Sequence, residues 1–318
     1  MASQNNPLVS VLMPAFESAL YFELALKSAL LQTYSNFEII IRDNSLTNEI
    51  QLLVEKEFLP YSKRITYIKN PTHMNRPHVL QYLLKDANGE YINYLMEDDL
   101  FDPTKIEKMM NYFLSDTNED IKLVTSYRKP INESGMIVPD LVYTKKLYKT
   151  DTVLDGVSSG NSMMAVANWI GEPTTVLFRK KDLIEPFGCF IGHQYESEID
   201  MASWLTLLSQ GKLVYIADEL SYVRIHPNRN TWKTPITTVN DWIHMIFHSQ
   251  IKNFLTDVDF LQRSINNLLR YIHSILSVKQ NQLTMEERNY LLQCKETLEI
   301  KFLSLLTNEK ITENREEN

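Results

Sequence analysis

The amino-acid sequence predicts an α/β fold: a mostly parallel sheet flanked by helices, with a C-terminal helical extension. Three observations carry this. Short β-branched runs alternate with helical patterns through the first 118 residues, the rhythm of βαβ units. Three of the strand ends carry polar or special residues rather than more apolar ones. From about Ile236 onward only helical periodicity remains.

The elements follow in order. Leu8 to Met13 reads as a strand that ends at Pro14, and Ala19 to Gln32 as a helix with Glu23 and Lys27 one turn apart. Phe37 to Ile41 is a buried strand closed by Arg42-Asp43-Asn44-Ser45. A helix over Ile50 to Phe58, a strand over Ile65 to Lys69 and a helix over Val79 to Asp86 come next, punctuated by Asn88-Gly89. Tyr91 to Met96 is a fourth strand that runs into Glu97-Asp98-Asp99, and Pro103 opens a helix to about Leu114. The middle of the chain is less regular. Strands are expected over Leu123 to Arg128, Val142 to Tyr148 and Thr174 to Phe178. A helix over Ile199 to Leu208 and a strand pair or long strand over Leu213 to Ile225 follow. Near the end, Phe254, Val258, Leu261, Ile265, Leu268, Ile272 and Ile275 alternate steps of four and three, and Leu291, Cys294, Leu298, Phe302 and Leu305 nearly repeat them. Two packed helices, antiparallel across Gln280 to Gln282, fit that pattern.

Charge and composition exclude some functions. Lys and Arg total 32 against 40 Asp and Glu, a formal charge of −8, so broad affinity for nucleic acid is not expected. The same excess repels an anionic membrane unless a local basic patch overrides it. Cys189 and Cys294 stand in no metal-ligand spacing and read as free thiols of a reducing compartment. Met1 to Pro7 has neither a basic region nor an apolar signal core, and no stretch reaches the roughly 18 apolar residues of a membrane span. A cytoplasmic protein is expected, with peripheral contact at the inner face of the membrane left open.

In open α/β sheets, ligands bind beyond the carboxyl ends of the strands. Pro14-Ala15-Phe16-Glu17, Asp43-Asn44-Ser45 and Glu97-Asp98-Asp99 should therefore converge on one crevice. Adjacent carboxylates repel, so the acidic triplet favours a bound cation, Mg²⁺ or Mn²⁺, shared with substrate phosphates. In isolation it reads more readily as a solvated acidic turn before the helix at Pro103; the shared crevice with Asp43 reverses that toward the cation. Asp43 either accepts an N–H from a base edge or closes a turn. Phe16 is either a stacking platform or core. Arg76, after the third strand, either touches phosphate or is a solvated loop residue.

Three blocks in this order and spacing resemble glycosyltransferase family 2: Val9 to Phe16, Gln32 to Ser45, and Gly89-Glu90-Tyr91-Ile92 leading into Glu97-Asp98-Asp99. The resemblance spans roughly residues 7 to 230. It implies the GT-A fold, a Rossmann-like arrangement, with a nucleotide-diphospho-sugar as donor, commonly a UDP-sugar, and inversion at the anomeric carbon. It further implies that Phe16 and Asp43, with the Pro14, Ala15 and Glu17 turn, hold the base. By the same resemblance Asp98 lies near the ribose or the metal and Asp99 is the metal ligand. Two departures stand out: Arg42 occupies a position that is often acidic, and the acidic motif begins with Glu97 rather than Asp.

The second half carries weaker matches. Glu196-Ser197-Glu198-Ile199-Asp200, followed by Trp204-Leu205 and Gly211-Lys212, resembles the segment bearing the general base; Glu198 aligns best and Asp200 second. Acids in a first helical turn also favour the helix dipole. Tyr222 to Asn228 resembles the family's closing segment, which would make His226 a further metal ligand and turn Arg224 toward the diphosphate. A lone His is more often structural. Gly171-Glu172-Pro173-Thr174 resembles the acceptor-side segment, or is a tight turn.

The expected domains are a glycosyltransferase unit over 1–232, with a nucleotide-sugar half at 7–118 and an acceptor half at 119–232, and a helical region at 233–318. The expected activity is inverting transfer to a hydroxyl of a carbohydrate or glycoconjugate acceptor, as in bacterial-type polysaccharide synthesis. A nucleotidyltransferase would carry a Gly-rich basic loop after the first strand, and Pro14 to Ala19 has neither Gly nor Lys. A non-catalytic GT-A-like binding or assembly module is the second alternative, and in either reading the C-terminal helices could form a homodimer.

Overall fold

The structure, a computed structural model, describes residues 6–226, 235–278 and 282–316. Its first part is β1 (Val9–Ala15), α1 (Ala19–Leu30), β2 (Phe37–Asp43), α2 (Glu49–Glu57), β3 (Ile65–Lys69), α3 (Arg76–Asp86) and β4 (Tyr91–Tyr94). All seven residues of β1 are buried, which fits a strand paired in parallel with β2 on one side and β4 on the other. The side chains of β1 alternate between two cores. Val9, Val11 and Met13 pack with Phe22 and Leu26 of α1, while Leu12 packs with Val79 and Leu83 of α3. Helix entries are set locally. Ser18 caps α1 through Tyr21 N–H at 3.3 Å, and Asn75 caps α3 through His78 N–H at 3.1 Å, with Pro77 in the first turn.

The strand order here is β3-β2-β1-β4. The chain steps outward from β1 to β3, then returns to the other side of β1, so the order reverses between β1 and β4. That reversal opens a crevice beyond their carboxyl ends.

The sheet continues through β5 (Leu100–Phe101), β6 (Ile121–Ile131), β7 (Thr152–Asp155), β8 (Leu177–Arg179) and β11 (Lys212–Arg224). It is mixed: β8 lies antiparallel between β4 and β6, and β6 runs parallel to β11. Helix α4 (Lys105–Ser115) covers the first core, and α5 (Gly156–Ala165) and α6 (Ile199–Leu208) cover the second. A small hairpin, β9 (Cys189–Phe190) with β10 (His193–Gln194), precedes α6.

Two expectations are corrected. Residues 142–148 form turns and irregular backbone, not a strand. Val142 and Leu147 stay exposed, so no burial drives pairing there, and the added strand is β7, antiparallel on β11. Helix α5 had no counterpart among the expected elements. Its glycines and serines are weak helix formers, but the Asp155 side chain caps it at Ser158 N–H, 2.8 Å. A side chain at Gly160 would come within 2.4 Å of the Phe254 ring, so the glycine permits close packing.

Three helices end the chain: α7 (Pro235–His248), α8 (Val258–Val278) and α9 (Met285–Glu316). Leu261, Ile265, Leu268, Ile272 and Ile275 of α8, and Leu291, Cys294 and Leu298 of α9, are buried in one core with Trp204 and Leu205 of α6. The apolar stripe is thus covered within its own chain. The boundary expected at 232/233 and most of the expected turn at 280–282 lie outside the described residues. No helix among the described residues is long and apolar enough to cross a membrane.

Candidate active site

The three strand ends meet at the carboxyl edge of the sheet. Glu97, just past β4, reaches across to β1, where its carboxylate accepts the N–H of Phe16 at 2.7 Å and of Glu17 at 3.3 Å. It ties the crevice walls together rather than standing as a spare ligand. Burial pushes its pKa up to about 7, the Phe16 N–H opposing the rise and the Asp98 charge adding to it.

Asp99 is buried and aimed from two sides. Its Oδ2 accepts the Thr174 hydroxyl at 2.6 Å, and its Oδ1 accepts the Arg224 N–H at the end of β11, 3.0 Å. The Thr174 hydroxyl also accepts the Met96 N–H at 3.1 Å. Asp98 Oδ2 lies 2.9 Å from His226 Nε2, so Asp98, Asp99 and His226 share one end of the crevice. Among the described residues, no three His, Cys, Asp or Glu side chains stand in metal-holding geometry. Mg²⁺ or Mn²⁺ needs only one or two carboxylates when phosphate oxygens and water complete its shell. A carboxylate offers about four acceptor sites, and the adjacent Asp98 adds a second hard oxygen donor. The donor set fits such an ion. Pro227 and Asn228, the rest of the closing motif, lie outside the described residues.

Arg224 does not face an open diphosphate position. Its guanidinium is almost wholly buried, donating from Nε to the Asp98 carbonyl at 2.9 Å and from Nη1 to the Asn132 and Glu133 carbonyls at 2.9 and 3.1 Å. It also lies over the Tyr21 ring at 4.5 Å. With its donors on backbone carbonyls it stiffens the loop that presents Asp98 and Asp99.

Asp43 sits at the same rim, paired across from Ala15, but it offers no exposed acceptor to a base edge. Its carboxylate is fully buried, accepting Ser45 N–H at 2.8 Å, the Tyr67 hydroxyl at 2.6 Å and the Lys69 ammonium at 3.0 Å. It orders the rim from within. Phe16 is half-buried against the second core, Pro14 and Ala15 are buried in β1, and Glu17 is exposed.

Arg42 turns away from the crevice. It pairs with Asp86 at 2.6 Å, donates to Asn70 Oδ1 at 2.8 Å and lies 5.0 Å from the Tyr82 ring. Arg42→Met is expected to lower unfolding free energy by about 2 kcal/mol, because Asn70 and the half-buried Asp86 lose their partner. UDP affinity should stay unchanged. Chemical denaturation and calorimetry check the two halves.

On the facing wall, Glu198 and Asp200 flank the start of α6. Both keep partial solvent exposure while protein surrounds them on most sides. Burial pushes Glu198 up to about 8, the charges of Asp200 and Asp241 adding to the rise. Burial pushes Asp200 up to about 6, opposed by its hydrogen bond from Met201 N–H; Glu172 adds to the rise and Arg76 opposes it. Arg76 therefore stands near Asp200 rather than in bulk solvent, and its Nε is buried without a hydrogen-bond partner among the described residues.

The segment 168–175 joins the two walls. Asn168 donates to Asp200 Oδ2 at 3.0 Å, Glu172 pairs with Arg128 at 2.7 Å, and Thr174 holds Asp99. Gly171 has φ +115°, and a side chain there would come within 2.1 Å of Thr175 Oγ1, so only glycine suits the turn. Its carbonyl accepts the Trp204 indole N–H at 2.8 Å. Tyr21, Arg128 and Asn168 were not among the expected site residues. Each acts through contacts distant in sequence, and no local motif marks them.

Comparisons with known proteins agree with this architecture. Residues 10–165 match the family described as glycosyl transferase family 2. An uncharacterized glycosyltransferase of Rickettsia conorii is 28% identical over 307 residues, 92% of this chain and 46% of that protein. One of Rickettsia felis is 31% identical over 244 residues, 74% of this chain and 36% of that protein. The chain thus spans less than half of each of these relatives. Among solved structures, S. aureus TarS 1–349 in complex with UDP-GlcNAc superposes with a TM-score of 0.53 at 14% identity, covering 96% of this chain and 92% of that one. The mannosyltransferase PcManGT of Pyrobaculum calidifontis, in complex with GDP-Man and Mn²⁺, gives 0.53 at 13% identity, covering 94% and 87%. The chain carries a glycosyl transferase family 2 domain, residues 10–165, on a fold of the GT-A type.

Proposed function

We propose that this protein is an inverting glycosyltransferase that moves a sugar from a UDP-sugar to a hydroxyl of a carbohydrate or glycoconjugate acceptor, with a divalent cation at Asp99. The observation that carries the reading is the link through residues 168–175. One side grips Asp99 through Thr174, and the other reaches Asp200 through Asn168. Residues 7–118 then form the donor half and 119–232 the acceptor half. The neighbours in complex with UDP-GlcNAc and with GDP-Man and Mn²⁺ support the donor class and the metal.

The chemistry needs one base and no covalent intermediate. Asp99, with Asp98 and His226 beside it, would hold the cation, which would supply positive charge against the leaving diphosphate. Arg76 adds its guanidinium to the same charge from the start of α3. The Phe16 rim and the β1 turn orient the nucleotide so that C1 faces the acceptor wall. Glu198 takes the acceptor proton as that oxygen attacks. Its raised pKa makes the ionised form a stronger base, and neighbouring Asp200 helps to raise it. Free Cys189 and Cys294 suit a reducing compartment, and we assign the protein to the cytoplasm.

A panel of UDP-, GDP-, ADP- and dTDP-sugars, incubated with and without Mn²⁺, tests this. Mn²⁺-dependent release of UDP from at least one UDP-sugar is expected. No release from any donor, or release that ignores the metal, contradicts it.

A further inference from the structure

The inference here rests on the transferase reading above. Glu198 is the N-cap of α6, yet its side chain makes no capping hydrogen bond. The N–H groups that precede the helix find their acceptor elsewhere in the chain. Those of Glu196, Ser197 and Glu198 converge on one oxygen, Asp241 Oδ2, at 3.1, 2.7 and 3.0 Å. Asp241 belongs to α7 and is buried. Thr238, one turn earlier, shares a 2.7 Å hydrogen bond with the Ser197 hydroxyl. Trp242, the next residue, hydrogen-bonds Glu198 through its side chain. One stretch of α7 therefore holds the backbone, a hydroxyl and the carboxyl of residues 196–198.

We propose that Asp241 is the positioning residue for the general base, and that α7 is a working wall of the active site rather than an appendage. Three N–H donors on one charged oxygen are stronger than the same bonds to a neutral one, so the carboxylate fixes where Glu198 starts. The Asp241 charge also bears on Glu198 directly. The other groups facing Glu198 are Asp200 on α6 and Tyr271 on α8. Those facing Asp241 are His193 on β10 and Tyr195 beside it. A residue that only stabilised the fold would affect all functions alike; a positioning residue affects the base and spares the donor.

Asp241→Asn and Asp241→Ala in the full chain separate these. Asn keeps an acceptor oxygen and removes the charge; Ala removes both, and if it fails to fold, Asn still decides. The readouts are kcat and KM for UDP-N-acetylglucosamine hydrolysis with Mn²⁺, UDP binding by calorimetry, and the Glu198 carboxyl titration by carbon-13 NMR. For Asp241→Asn, Glu198 should titrate below the wild-type value, and kcat should fall roughly tenfold, a fraction of a full base contribution. UDP affinity should stay unchanged. A wild-type Glu198 titration in Asp241→Asn, or UDP affinity falling in step with kcat, overturns the proposal. A wild-type protein that turns over no nucleotide sugar overturns the transferase reading instead, and the Glu198 titration then decides the positioning claim alone.

Discussion

Asp99→Asn turns over its nucleotide sugar at least about a hundredfold more slowly than wild type, the scale expected when charge stabilisation of a leaving group is lost. The fold persists, because Asn keeps one oxygen for the Arg224 N–H and its amide can face the Thr174 hydroxyl. Alanine is a poorer probe: it would strand two buried donors at about 1–3 kcal/mol each. Multiple-turnover kinetics with Mn²⁺, alongside a melting curve, separates the loss of metal from the loss of structure. Near-normal turnover in Asp99→Asn would refute the assignment of the cation to this aspartate.

Glu198→Gln loses transfer by about 10²–10⁴, the range of general-base contributions, while UDP still binds. The wild-type rate should rise with pH to a limb near 8, where Glu198 ionises; a limb near 6 would assign the base to Asp200 instead. Stability moves the opposite way. Burial keeps Glu198 protonated up to about 8, against an ordinary carboxyl value of 4.5. Between those values the native state holds a proton that the unfolded chain has released. The contribution is therefore full below about pH 4.5 and is lost as pH rises through about 8. Glu198→Gln cannot ionise, so it should melt above wild type at alkaline pH and level with it near pH 4.5. Thermal melts across that range check the sign, and a variant less stable than wild type at alkaline pH would contradict the burial account.

Residues 7–118 were legible because local rules dominate them. The βαβ rhythm sets a parallel sheet, and the switch-point rule places residues 14–17, 43–45 and 97–99 at one edge before any contact is known. What those residues do at the edge was less legible. Asp43 and Arg224 occupy the expected places, but their polar groups are taken by Tyr67, Lys69 and backbone carbonyls, partners that sequence spacing does not reveal. Arg42 looked like a departure and is half of an ion pair with Asp86, 44 residues away. Helix α5 was hidden by its glycines and serines, since tertiary packing against Phe254 overrides weak propensity there. The hold of α7 on Glu198 spans 43 residues between Glu198 and Asp241, and an amphipathic stripe announces only that a helix packs, not what it supports.

Calorimetric titration of UDP into wild type and Asp99→Asn, each with and without Mn²⁺, probes the crevice most directly. Wild type should bind UDP at least about tenfold more tightly with the metal, a difference near 1.4 kcal/mol, and Asp99→Asn should show no metal effect. Equal metal enhancement in both proteins, or none in wild type, would contradict a dication shared between Asp99 and the diphosphate.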